Sequence, residues 1–153
     1  MLTQETINKI KEITKEFFEK TTLELEIEFL PEKEGVLPIN VRSEEPQILI
    51  GEGGQTLIEI QRILKLMLRK KIQEEFHIDL DINNYKKKKI EYLKEVAISA
   101  ADDVSLTKKE KALAPMPAYE RRIVHLELVN RTDVITESVG EEPERSIVIK
   151  PRP

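Results

Sequence analysis

Two short constellations in this sequence carry residue types suited to chemistry. The first is Ile50-Gly51-Glu52-Gly53-Gly54-Gln55-Thr56-Leu57, which holds three of the chain's five glycines. Gly51 and Gly54 lack a Cβ, so a foreign backbone can approach the chain closely there. The residues that follow predict a helix. Its first turn would aim unpaired N–H groups and the positive dipole end at the gap. Such a corner suits a sugar-phosphate chain. The second constellation is Glu120-Arg121-Arg122-Ile123-Val124-His125. Arg121 and His125 stand four apart and would share one helix face, both exposed enough to reach a ligand. A guanidinium grips phosphate in a fork, and an imidazole donates a hydrogen bond or stacks on a base. Arg122, Lys108 and Lys109 are weaker candidates beside this pair. Either pattern alone is unspecific: most Gly-x-x-Gly segments are plain turns, and Arg-x-x-x-His recurs by chance.

The whole chain sets bounds on what these residues do. Its 153 residues allow one or two small domains. Hydrophobic residues make up 39% and charged residues 35%, which suits a folded soluble protein. No run of about 18 apolar residues occurs, so membrane insertion is not expected. The first residues lack a signal peptide's basic and apolar regions, and the expected location is the cytoplasm. The absence of cysteine removes disulfides, thiol catalysis and thiolate metal sites. His77 and His125 lie far apart, so no metal and no cofactor are expected. A net charge of −4 argues against an indiscriminate polyanion binder. The charge is uneven, however. Residues 1–84 carry 11 basic and 17 acidic side chains, net −6, while residues 85–153 carry 14 and 12, net +2. The second part should attract phosphate more.

The elements that would position these residues follow from periodicity. Gln4 to Lys20 predicts a helix with Ile7, Ile10, Ile13 and Phe17 on one stripe and Thr3 as its cap. Leu23 to Phe29 alternates strictly and predicts a strand, and Leu37, Ile39 and Val41 predict its hairpin partner. Ser43 to Pro46 starts a helical turn into the glycine loop. Thr56 to Phe76 predicts a long helix with Leu57, Ile60, Leu64, Met67 and Leu68 inward. His77 to Ile82 is a third alternating strand. The outer strand faces carry Glu24, Glu26, Glu28, Asp79 and Asp81, a solvated acidic face that would repel RNA. Asn83-Asn84 marks a boundary. Beyond it, Ile90, Leu93, Ala97, Ala100 and Val104 stripe another helix, opened by Lys86 to Lys89. Ala118 to Val129 predicts the helix bearing Arg121 and His125, with Ile123 and Leu126 inward. Val134–Ser138 and Arg145–Lys150 predict two final strands around Gly140.

Ile-Gly-x-x-Gly-x-x-Leu between two apolar segments resembles the signature loop of a KH domain. The order helix, strand, strand, helix, helix, strand is that of the bacterial, type II KH variant. The later string resembles the R-three-H domain: Pro115-Met116, Glu120 to His125, Thr136 to Glu142, and Arg145 to Pro151. A KH domain followed directly by this domain resembles the bacterial Jag family, also called SpoIIIJ-associated proteins. The resemblance implies an α+β chain with a KH domain over 1–84 and a small α/β R-three-H domain over 85–153. It implies a non-enzymatic, single-stranded nucleic-acid-binding regulator or chaperone, acting on RNA more than on ssDNA. Contacts would come from Ile50, Gly51, Glu52, Gly53, Gly54, Gln55, Thr56 and Leu57, with Ile50 and Leu57 lining an apolar groove. Further contacts would come from Arg121, Arg122, His125, Lys108 and Lys109. A small single-KH protein partner, or self-association, is also implied. Many family members carry a further N-terminal domain, and functions tied to it are not carried over. Relatives usually hold basic or amide residues where this chain has Glu52 and Gly53. That departure motivates the alternative: an interaction module whose KH loop is degenerate, with only the R-three-H domain touching nucleic acid.

Overall fold

The computed structural model describes all 153 residues, in two compact units, Met1–Lys86 and Lys87–Pro153. The first unit opens with α1 (Gln4–Glu19), capped by Thr3, whose side chain accepts the Thr6 N–H. Its buried face is Thr6, Ile10, Ile13, Thr14 and Phe18, with Ile7 and Phe17 only half-buried. Strands β1 (Leu25–Phe29) and β2 (Val36–Ser43) form the antiparallel hairpin. Then come α2 (Pro46–Ile50), a tight turn at Glu52–Gly54, and α3 (Gln55–Lys71). Strand β3 (His77–Ile82) returns parallel to β2, giving the sheet order β1-β2-β3. A parallel pair needs a crossover, and α2, the glycine turn and α3 supply it. The turn therefore sits mid-crossover by construction.

The core of this unit is Ile10, Phe18, Leu37, Ile39, Val41, Leu64, Leu68, Leu80 and Ile82, all almost fully buried. Each such side chain adds about 1.5–3 kcal/mol relative to exposure. Two expectations for α3 are corrected. The helix stops at Lys71, not Phe76. Ile72 turns to extended backbone (φ −119°, ψ 122°), and both Ile72 and Phe76 enter the core from the connection. Helical spacing of these two apolar residues imitates a longer helix. Met67 is exposed, because the buried stripe is narrower: Leu57, Leu64 and Leu68.

Asn83 closes the unit. Its side chain accepts from the Ser43 N–H at 2.9 Å and donates to the Ser43 carbonyl at 2.8 Å. Asp81 is not merely solvated, since its Oδ1 accepts the Lys86 N–H at the start of the next helix. Lys86 itself pairs with Asp79.

The second unit is built on α4 (Tyr85–Thr107), β4 (Lys111–Ala112), α5 (Ala118–Leu128), β5 (Val134–Val139) and β6 (Ser146–Pro151). The antiparallel sheet has the order β4-β6-β5. Leu93, Ala97, Ala100, Ala101 and Val104 of α4 pack with Met116, Val124, Leu128, Val134, Ile147 and Ile149. Ile90 is exposed. On α5 the expected inward face is also corrected. Leu126 is exposed and Ile123 half-buried, whereas Glu120, Arg121, Val124 and Leu128 face in. No helix of the chain is long and apolar enough to cross a membrane.

Candidate nucleic-acid interface

The glycine turn is shaped by left-handed backbone. Gly51, Gly53 and Gly54 have φ of 72°, 60° and 80°. A Cβ on Gly51 would overlap the Thr56 hydroxyl and stand 2.8 Å from its Cβ. A Cβ on Gly54 would stand 2.9 Å from Tyr85 Cε1. Gly53 has open space around it, so only its φ asks for glycine. Gly51 and Gly54 are thus fixed by their neighbours: their missing Cβ atoms make room for Thr56 and Tyr85 of the chain itself and not, as expected, for a foreign backbone, and the turn is clamped between those two residues. The Gly54 N–H closes the turn onto the Gly51 carbonyl at 3.3 Å. Glu52, Gly53 and Gln55 are exposed at the mouth, and α3 runs away from them for 17 residues. The positive end of its dipole therefore lies at the turn.

Ile50 and Leu57 do not line this surface. They are 5% and 3% exposed and belong to the core. The accessible apolar side chains next to the turn on the flanking helices are Ile48 and Ile58, 55% and 40% exposed, and α3 exposes Ile63, Leu66 and Met67 farther along. Sequence reasoning missed Ile48 and Ile58. The signal was the apolar run itself: in Ile48-Leu49-Ile50 a helix cannot bury every residue.

Arg121 and His125 separate in the same way. Arg121 is only 9% exposed. Its Nη1 donates to the Met116 carbonyl and to Glu142 Oε1, both at 2.8 Å. It therefore ties the segment before α5 to the β5–β6 loop, and it does not project outward as expected. Arg145 pins that loop from its other end, with Nε on Ser138 Oγ at 2.9 Å and Nη1 on the Gly140 carbonyl at 2.6 Å. His125 is exposed, with Nδ1 at 2.6 Å from Thr136 Oγ1 on β5. Arg122 is exposed and forms no ion pair, and Tyr119 precedes it by three on the outer side of α5. Glu120, which opens the second constellation, is buried with its carboxylate 3.9 Å from Lys89 Nζ and 3.2 Å from the Tyr119 hydroxyl. Lys108 and Lys109 precede β4, on the opposite edge of the sheet from β5. The structure does not bring them to His125.

The base of α5 is held by Arg131. It donates to Asp133 at 2.9 and 2.6 Å and to Asp102 on α4 at 2.6 Å. These bonds hold the Asp133 carboxyl far below the usual range and raise the Arg131 guanidinium. On the sheet, the Lys150 ammonium lowers the Glu137 carboxyl across the β5–β6 pair.

The chain is similar to several proteins known by name. It is 38% identical to RNA-binding protein KhpB of Clostridium symbiosum, over 77% of this chain and 53% of that one. It is 36% identical to the protein of that name in Bacillus subtilis, over 72% and 54% of the two chains. For Lactiplantibacillus plantarum the figures are 32%, 72% and 34%. The chain spans about half the length of the first two relatives and a third of the last. Residues 91–151 match the R-three-H domain family, a span that takes in most of α4, all of α5 and both long strands of the second sheet. Residues 91–151 are therefore an R-three-H domain, and Arg121 and His125 stand in its α5.

Proposed function

We propose that this chain binds single-stranded nucleic acid, RNA in preference to ssDNA, as a non-enzymatic regulator or chaperone of the cytoplasm. Residues 1–84 act as a type II KH domain and residues 85–153 as the R-three-H domain. The observation that carries the reading is the glycine turn: three left-handed glycines clamped by Thr56 and Tyr85 at the N-terminus of a 17-residue helix. Glu52, Gly53 and Gln55 are exposed at the mouth with open space about Gly53, which leaves room for a sugar-phosphate backbone at the helix N-terminus. The helix order of the first unit and its mixed sheet support the KH assignment. The relatives' printed name supports RNA as the ligand. At the KH surface, the turn from Gly51 to Thr56 meets the backbone, while Ile48 and Ile58 offer apolar contact to bases. At the second surface His125 and Arg122 reach the ligand. Arg121 positions that surface from below. A small single-KH protein or a second copy remains a partner within this proposal.

Ultraviolet crosslinking of the full chain to single-stranded RNA, mapped to peptides, tests it. Crosslinks at Ile48 to Ile58 and at Tyr119 to Thr136 are the expected result. A specific observation favours the second reading, an interaction module with a degenerate loop: Glu52 is exposed at the mouth of the turn. Crosslinks confined to residues beyond Tyr85 would establish that reading and overturn the first.

A further inference from the structure

Strand β1 is the outer strand of its sheet, with only one neighbour. The Leu30 N–H bonds the Pro38 carbonyl, which sets the phase of the β1–β2 ladder. Alternation then turns the N–H and C=O groups of Glu26 and Glu28 toward β2, and those of Leu25, Ile27 and Phe29 toward the open edge. Beside this edge runs a cleft of about 240 Å³ between β1 and the end of α1, lined by Lys15, Phe18, Glu19, Leu23, Leu25 and Ile27. Leu23, Leu25 and Ile27 are half-buried there, unlike the sealed apolar residues of β2 and β3. On the opposite face of the same strand Glu26 and Glu28 are exposed, and so is Glu24 just before it. Across the ladder Glu26 faces Arg42 and Glu28 faces Asn40.

These features specify the occupant. An added strand presents its side chains alternately to the two faces of the sheet. On the cleft side it would meet Leu25, Ile27 and Phe18, and on the other side a row of carboxylates. A second copy of β1 does not fit. Antiparallel edge-to-edge pairing keeps the faces and sets carboxylate against carboxylate, while parallel pairing of the same edge flips one copy and sets its glutamates against Leu25 and Ile27 on the cleft side, and both are unfavourable. A glutamate row on an edge also blocks neutral strands, which is the protective use of charge at edges. It does not block a basic strand. Nucleic acid is repelled. We infer that the β1 edge is a docking site for an extended peptide alternating apolar and basic residues, added as a fourth strand in the manner of β-augmentation.

The test uses the full chain and a short labelled peptide alternating lysine and valine, titrated by fluorescence anisotropy. It is run beside two relatives of the peptide, one alternating glutamate and valine and one carrying lysine and valine with N-methyl groups on the amides that pair with β1. The lysine peptide should bind. The glutamate peptide should bind at least about ten-fold more weakly, as expected of three exposed ion pairs exchanged for repulsions. The N-methylated peptide keeps the charge and should also lose binding, because an edge strand recognises backbone. Glu26→Lys with Glu28→Lys should reverse the preference between the charged peptides. These substitutions lie on exposed side chains, and a circular dichroism melt confirms that the variant folds. Amide shifts should concentrate on Leu23 to Phe29. Equal binding of the N-methylated peptide would show charge attraction alone and overturn the proposal. So would shifts centred on α3 or β5, or no binding of the lysine peptide.

Discussion

Replacing Arg121 by alanine separates a positioning role from a contact role. The guanidinium is 9% exposed and makes two bonds of 2.8 Å. The bond to the Met116 carbonyl is buried, and a hydrogen bond to a charged donor is worth about 1.5–3 kcal/mol. The pair with Glu142 joins a buried group to one whose side chain is 57% exposed, so solvent screens it to about 1 kcal/mol or less. Arg121→Ala should therefore cost the R-three-H unit about 2–4 kcal/mol. For a unit of this size each kcal/mol lowers the midpoint by about 4–8 °C, so a fall of about 8–32 °C is expected. Hydrogen exchange read by mass spectrometry reports the unit directly. Protection should fall in peptides covering Met116, α5 and the β5–β6 loop, while the first unit keeps its protection. Arg122→Ala is the companion. It should leave the melt unchanged and weaken RNA binding. If Arg121→Ala melts like the parent chain and loses RNA affinity as Arg122→Ala does, the inward-facing arginine is a ligand contact and this reasoning fails.

At the glycine turn, Gly54→Ala should disrupt more than Gly53→Ala. Both incur the left-handed cost of about 1–2 kcal/mol, but only Gly54 would also push a methyl against the Tyr85 ring. Thermal melts and RNA titrations of the pair measure the gap, and equal losses would show that Tyr85 yields freely. Glu52→Lys exchanges a repulsion for an attraction at an exposed position, so it should tighten RNA binding at low salt. It should also steepen the logarithmic salt dependence by about 0.7, one phosphate's worth on a single strand. An unchanged slope would mean that no phosphate sits at this turn. The Asp133 carboxyl is held below its ordinary value of 3.8 by Arg131, so its contribution to stability is complete above that value. As pH falls below about 4 the unfolded chain takes up the proton first, and the contribution is lost progressively. Asp133→Asn should therefore be less stable at neutral pH and lose less on acidification. Parallel acid limbs in the two chains' melting curves would refute the pairing.

How far the sequence foretells this depends on what each residue answers to. Alternation in Leu23 to Phe29 and His77 to Ile82 predicts strands because one face is wet and the other dry, and both strands are present. The Thr3 cap is legible for a similar reason, since the side chain answers to its own helix. Periodicity fails where the third dimension reassigns a residue. Ile72 and Phe76 keep helical spacing yet reach the core from a loop. Leu126 looks like core and is exposed, while Arg121 looks like surface and is buried. The second failure explains the first. A charged residue enters the interior only where its donors are met, and the Met116 carbonyl that meets them arrives from outside the helix. At the candidate site the glycines were readable because their backbone angles are local. The accessibility of Ile50, Leu57 and Arg121 depends on partners that no local pattern names.

The distribution of unpaired charge explains how an acidic chain can hold a polyanion. Many of its cations are spent internally: Lys86 on Asp79, Lys111 on Asp103, Arg131 on two aspartates and Lys150 on Glu137. Lys87, Lys88, Lys108, Lys109 and Arg122 are exposed and join no ion pair. Lys15, Lys20, Lys33, Arg42, Arg69, Lys70 and Lys71 of the first unit are likewise exposed and join no ion pair. The first unit, net negative, offers phosphate the helix end behind its glycine turn, while the outer face of its sheet repels it. Attraction from these scattered cations acts against a net charge of −4. A ligand held under those conditions must fit the turn with its backbone and reach apolar side chains with its bases, because bulk electrostatics do not hold it. On the proposed reading, the same acidic sheet face that repels RNA would favour a basic strand at β1. One charge pattern would then direct the two proposed ligands to two different surfaces of the first unit.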